Sequence, residues 1–321
     1  MPWTTGNASS DADLLNKLKT YVTVTVPSGD QWVSERHVSG DELILRGQGY
    51  STTDQIYVGL KAYNDSINDN YALYLNGFTG FNTLLPFFQQ PGCLTLVDHI
   101  PALASVFSVP TNPTAIKYWF IVDASRIIII SRTGTVYHQA YLGFYLPFGT
   151  PPTYPYPQIV GGSTVCDSIG RPAKQSDVST ATHAYWKSAD AYNTSPITQH
   201  VGSLALREPG GSFKRIVNTN NTALSNYSAC TGTFPFVENN RGYLGGYTNM
   251  RTNLDGSYSL QHILIIDGIP ANVFGFFTGV YHVTGFGLSA EDVIDVSGDD
   301  FLCIHNVFAT ADDNMVAYKL I

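Results

Sequence analysis

The segment Ile127-Ile128-Ile129-Ile130 constrains the fold most tightly. Side chains of a strand point alternately to opposite faces, so four consecutive isoleucines place apolar groups on both. Such a run is stable only when both faces are covered. It is therefore expected in the middle of a sheet, with layers above and below. Arg126 leads into it after a turn at Asp123-Ala124-Ser125, and Tyr118-Trp119-Phe120-Ile121-Val122 precedes that turn. Two strands joined tightly are the expected local unit.

Similar punctuation recurs along the chain. Glu42 to Arg46, Gln55 to Leu60 and Tyr71 to Leu75 read as strands closed by glycine- or asparagine-containing turns. Toward the end, Ser257 to Ile266, Phe274 to Val283, Phe301 to Phe308 and Met315 to Leu320 read the same way, the last two as a pair. One helix is expected near the start. Ser9, Ser10 and Asp11 are N-cap candidates, and Leu14, Leu15, Leu18 and Val22 share a face. Acidic Asp11 and Asp13 precede Lys17 and Lys19, the order that suits the helix dipole. Val22 to Val26 alternates β-branched residues and reads as a strand following the helix. The predicted fold is mainly β, with β-sandwich or barrel-like domains, a short N-terminal helix and long loops.

Residues 146–163 read LPFGTPPTYPYPQIVGGS. Five prolines in that span exclude a helix and a central strand. An extended arm is expected, serving as a rigid surface connection or as a docking arm for a partner chain. A domain boundary is placed here, dividing residues 1–160 from residues 161–321. Residues 164–255 are rich in Ser, Thr, Asn and Gly, and long loops are expected there. No fixed-period repeat is evident.

Composition narrows the function classes. Apolar residues make up 44% of the 321 and charged residues only 13%, which argues against disorder and points to a surface covered by partner chains, with polar uncharged Asn, Thr, Ser and Gln as the alternative cover. The net charge of −8 and the absence of a basic stripe argue against a nucleic-acid binder. Twenty Tyr and 17 Phe suit strands and interfaces alike. Cys93, Cys166, Cys230 and Cys303 are too widely spaced for a small disulfide framework. The opening MPWTTGNASSDADLL has no basic start and no apolar core, so no signal peptide is expected. No stretch reaches membrane-helix length, so no membrane span is expected. Synthesis in a reducing cytoplasm follows.

Searches for chemistry return weak signals. There is no GxxxxGK[ST], GxSxG or HExxH, and Gly47-Gln48-Gly49 and Gly285-Phe286-Gly287 read as turns. Cys303 and His305 lie two apart in a predicted strand, but zinc needs further ligands. Glu291, Asp292, Asp295, Asp299 and Asp300 form an acidic cluster without EF-hand spacing, read as a solvated loop. Asp98, Asp123, Glu238 and Asp267 are unranked candidates for glycoside hydrolysis. His183, Tyr185 and Trp186 read as either a packed aromatic cluster or a sugar platform. No enzymatic activity, metal or cofactor is expected.

Three blocks carry a family resemblance. They are Tyr118-Trp119-Phe120 with Ser125-Arg126-Ile127-Ile128-Ile129-Ile130; Thr135-Val136-Tyr137-His138-Gln139-Ala140-Tyr141-Leu142-Gly143-Phe144-Tyr145-Leu146-Pro147; and Tyr154-Pro155-Tyr156-Pro157 with Gly161-Gly162-Ser163. Together they resemble a family of virion structural proteins from contractile-tailed bacteriophages. Gln55-Ile56-Tyr57-Val58-Gly59 upstream and Val316-Ala317-Tyr318-Lys319-Leu320 downstream fit the same pattern. The resemblance implies a homo-oligomeric tail or baseplate subunit, made in the host bacterial cytoplasm and located in the virion. Its expected partners are tail tube, sheath and baseplate proteins and copies of itself. Candidate interface residues are Pro147, Phe148, Tyr154, Pro155, Tyr156, Pro157 and Tyr318. Alternative readings are a receptor- or glycan-binding tail-tip module, or a neck, collar or head-surface protein.

Overall fold

The structure, a computed structural model, describes residues 2–49, 53–94, 107–111, 115–149, 156–165, 185, 204–216, 232–234, 257–267, 272–285, 287–305 and 315–320. These residues form twenty strands, numbered in chain order, in three sheets. The middle sheet runs in the order β1 (Trp3–Ala8), β7 (Ile116–Asp123), β8 (Arg126–Thr133), β9 (Val136–Phe144), β11 (Gln158–Gly162), β13 (Leu204–Arg207) and β14 (Phe213–Ile216). One outer sheet runs β12 (Thr164–Val165), β6 (Phe107–Pro110), β5 (Asn70–Phe78), β4 (Gln55–Asp65), β3 (Glu42–Gln48) and β2 (Val33–Val38). The other runs β15 (Gly232–Phe234), β16 (Gln261–Asp267), β17 (Asn272–Val283), β20 (Met315–Lys319), β19 (Asp299–His305) and β18 (Val293–Val296), with β10 (Leu146–Pro147) added to β17. The molecule is mainly β, with one short α-helix, α1 (Asp11–Thr20).

The isoleucine run explains the layering. Ile127 and Ile129 join Phe120, Val122, Leu142 and Val160 in a core shared with Leu45, Val58 and Leu75 of the first outer sheet and with α1. Ile128 and Ile130 join Trp119, Ile121 and Ile159 in a second core against Ile265, Phe277, Val280, Ile304 and Val316 of the other outer sheet. All four are fully buried. Each such side chain stabilises the fold by roughly 1.5–3 kcal/mol through removal from water. The middle sheet thus has a core on each face, as the run requires.

α1 starts where the sequence predicts. The Ser10 hydroxyl accepts from the Asp13 amide at 3.1 Å, and Leu14, Leu15, Leu18 and Val22 are buried against the first core. The helix does not hand over to a strand. Tyr21–Thr25 forms a π-helical turn closed by the Val26 amide donating to the Tyr21 carbonyl at 3.1 Å. Val22 and Val26 are buried whereas Val24 is exposed, so the valines follow a four-residue spacing and not the alternation of a strand. The Thr23 hydroxyl bonds back to the Lys19 carbonyl at 2.8 Å, and Gln31 donates to the carbonyls of Val24 and Val26. The Gln31 bonds satisfy carbonyls that the π-helical turn leaves without a backbone partner at its end.

The proline-rich segment also differs from expectation. β11 begins directly after Pro157 and lies inside the middle sheet, paired to β9 and β13. The last proline precedes the ladder, so no ladder hydrogen bond is lost to it. Residue 160 falls within β11, whose sheet neighbours come from both sides of the boundary expected there. The long strand expected from Ser257 begins at Gln261, and β19 and β20 pair as anticipated.

Candidate interaction surface

The arm predicted to dock partners is anchored at both ends. Leu146 and Pro147 pair with Phe276 and Gly275 of β17, and the Phe148 amide donates to the Phe274 carbonyl at 2.9 Å. A Cβ at Gly275 would stand 2.1 Å from the Leu146 carbonyl oxygen, so this approach requires glycine. At the other end the Tyr145 amide donates to the Pro157 carbonyl at 3.2 Å. Pro147 and Pro157 are buried by these contacts. Phe148 is 59% exposed and Tyr156 is 38% exposed, the latter with the Arg207 guanidinium 4.5 Å from its ring centre. Tyr154 and Pro155 lie outside the described residues.

Tyr318 is not on a surface. It is fully buried, with its hydroxyl donating to the Gln139 side chain and its ring 6.1 Å from Tyr185. Both faces of β20 are covered: Val316 and Tyr318 face the middle sheet, and Met315 and Ala317 belong to a separate apolar cluster. With no exposed face on β20, an aromatic residue there packs sheets together within the chain.

Phe148 begins a row of rings that sequence reasoning missed. Its ring lies 5.8 Å from Phe276, Phe276 lies 4.4 Å from His262, His262 lies 5.1 Å from Tyr281, and Tyr281 lies 5.6 Å from Phe301. The row starts exposed at Phe148 and ends buried at Phe301. Val273, on the same strand as Phe276, is 40% exposed. The row draws on β16, β17, β19 and the arm, with irregular register between β16 and β17. No local pattern predicts such an assembly. Tilted and edge-on ring pairs each add about 0.5–1.5 kcal/mol beyond burial. The arrangement presents a pre-ordered apolar and aromatic face.

The acidic cluster is only partly a solvated loop. Glu291, in a left-handed backbone conformation (φ 78°), reaches across to the middle sheet. It accepts from Lys117 Nζ at 2.5 Å, from the Tyr137 hydroxyl at 2.8 Å and from Arg132. Burial acts to raise its carboxyl, but the Lys117 and Tyr137 hydrogen bonds and the two cationic charges outweigh it and hold the pKa below its ordinary value. Lys117 also sits 4.6 Å over the Trp119 ring. The cluster thus ties the β18–β19 end of one sheet to β7, β8 and β9 of another. Asp299 pairs with Lys319 at 2.5 Å.

The remaining candidates take structural positions. Asp123 caps the β7–β8 turn, accepting from the amides of Ser125 (2.9 Å) and Arg126 (3.0 Å) and pairing with the Arg126 guanidinium. Asp98, Glu238, His183, Trp186 and the Asp267 side chain lie outside the described residues. Tyr185 is packed among Tyr141, Phe277 and Tyr318 in the second core. Cys303 lies in the outer apolar cluster, its thiol pushed up to about 12 by burial and the Asp292 charge, whereas His305 stands edge-on to Tyr137 at 5.1 Å. Among the described residues, no group of three or more His, Cys, Asp or Glu side chains is placed to hold a metal. No described helix is long and apolar enough to cross a membrane. Comparison with family models and with curated proteins returned no match.

Proposed function

We propose that this chain is a structural subunit of a tailed-phage virion, seated in the tail or baseplate region and acting through protein–protein interfaces. The observation that carries the reading is the tethered arm. Phe148 is held out at 59% exposure beside Phe276, on a segment whose two ends are tied down by backbone hydrogen bonds. An aromatic ring already fixed in place loses little entropy when a partner covers it, which favours tight docking. The family resemblance and the low charge point the same way. Neighbours would be tail tube, sheath or baseplate proteins and further copies of this chain in cyclic arrangement.

A cryo-EM map of the intact particle tests this. The expected result is density for the chain in the tail or baseplate, with Phe148 buried against a neighbour. A map with no copy of the chain refutes the proposal. A map placing it at the neck, collar or head surface refutes the location and retains the interface.

A further inference from the structure

β1, β14, β12, β2, β15 and β18 stand at the edges of the three sheets. An edge strand presents unpaired N–H and C=O groups, and proteins blunt such edges with charge, a bulge or short length. β2 carries Glu35, Arg36 and a register shift between Ser34 and Arg36. β18 carries Asp295, β14 carries Lys214 and Arg215, and β12 and β15 are only two and three residues long. β1 has none of these protections. Its six residues, Trp3-Thr4-Thr5-Gly6-Asn7-Ala8, hold no charge and pair with β7 without a register shift.

The β1–β7 ladder fixes which backbone groups face outward. The Val122 amide donates to the Pro2 carbonyl at 3.0 Å. Successive residues of an antiparallel strand alternate between bonding their neighbour and pointing away from it. Thr4 and Gly6 therefore bond β7, whereas Trp3, Thr5 and Asn7 point away from the sheet. The Asn7 carbonyl agrees with this phase, because it accepts from Lys17 Nζ at 2.7 Å. The N–H groups of Trp3, Thr5 and Asn7 and the carbonyls of Trp3 and Thr5 have no partner among the described residues. The same three residues are exposed, Trp3 at 41%.

We propose that this edge pairs with the β1 edge of a second copy of the chain, antiparallel about a two-fold axis at Thr5. Charge selects the occupant. β1 has no charge to meet a charged strand, and the nearest cation, Lys17, is already held by Asp13 at 2.7 Å. The long uncharged edge strand that this chain itself supplies is β1. In the two-fold register Thr5 faces Thr5, Trp3 of one copy faces Asn7 of the other, and Thr4 faces Gly6. Large side chains thus meet small ones, and no charge meets its like. On the first-core side a shallow recess of about 370 Å³, lined by Thr4, Lys17, Thr20, Tyr21 and Tyr118, leaves room beside β1 for side chains of an added strand. So short a strand pair buries less than the roughly 1,600 Å² of a standard interface, and the dimer is reversible. The contact closes on itself, apart from the Phe148 arm and from where the chain sits in a particle.

The test is sedimentation equilibrium of the full chain from about 1 to about 200 µM, with hydrogen exchange of residues 3–8 followed over the same range. The variants are Thr5→Pro and Trp3→Lys, each checked for an unchanged thermal midpoint. The Thr5 N–H is not used by β7, so proline there removes an outward donor and spares the internal ladder. The expected result is a monomer–dimer equilibrium in which exchange at residues 3–8 slows as the dimer forms. Each variant raises the dissociation constant by about 10-fold or more, since the two-fold axis makes every lost bond count twice. If Thr5→Pro lowers the midpoint, Trp3→Lys decides. A monomer at every concentration overturns the proposal and leaves the edge to a strand from a different chain. A dimer that Trp3→Lys leaves intact, or that forms without slowing exchange in β1, lies elsewhere on the surface and overturns it too.

Discussion

His138 sets up a sharp pH experiment. It lies on β9 directly opposite Ser131 of β8, fully buried on the first-core side of the middle sheet. Neither ring nitrogen has a partner among the described residues, and neither does the Ser131 hydroxyl. Burial alone pushes the imidazole pKa down to about 3 from an ordinary value of 6.5. The unfolded chain therefore binds a proton at this residue across that window and the folded chain does not. Stability is fully present above the unfolded value and is lost as pH falls from 6.5 toward 3. At 1.36 kcal/mol per unit the full window is worth about 5 kcal/mol, and about 3 kcal/mol is lost by about pH 4.5. The perturbation is His138→Leu, which fills the site and does not titrate. Urea unfolding of both proteins at about pH 7.5 and about pH 4.5 isolates the effect, because every other titrating group cancels in the difference. Wild type is expected to fall about 3 kcal/mol further than the variant over that interval. Parallel losses would show that the imidazole is protonated equally in both states, and the reasoning would be wrong.

Two further perturbations follow from named contacts. Gly275→Ala should detach the arm from β17, because a Cβ cannot stand 2.1 Å from the Leu146 carbonyl oxygen; faster proteolytic cleavage between residues 146 and 157 than in wild type is the check, and an equal rate would refute the anchoring. Glu291→Gln removes the charge shared with Lys117 and Arg132, and because all three side chains are partly exposed the loss should be about 1 kcal/mol at low salt and smaller at high salt; a salt-independent loss in urea unfolding would show that the tie is not ionic.

Local pattern carried much of the fold because strand and helix periods are written one residue at a time. Ile127 to Ile130 announced a sheet covered on both faces, and Leu14, Leu15 and Leu18 announced the buried face of α1. Of the Pro/Tyr segment read as an arm, Phe148 and Tyr156 are exposed, whereas residues 158–162 form a strand inside the middle sheet. Tyr318 was misread because period-2 alternation gives the face of a strand without saying what lies beyond that face. The aromatic row and the recess were illegible for a stronger reason. Phe148, His262, Phe276 and Phe301 are brought together by strand order, and so are Thr4, Tyr21 and Tyr118.

The sequence by itself thus determined that this chain is a β protein with one N-terminal helix, since apolar periodicity and turn residues are local properties. Tertiary structure decided the rest. It turned Val22 to Val26 from a candidate strand into a π-helical turn, because Val22 and Val26 bury together against a core assembled from distant strands. It placed β11 inside the middle sheet just after the last proline of the arm, because β9 and β13 offered it ladders on both sides. It also brought Thr4, Tyr21 and Tyr118 together at one shallow depression. Those outcomes depend on which strands become neighbours, and neighbour choice is settled by long-range burial that no local window contains.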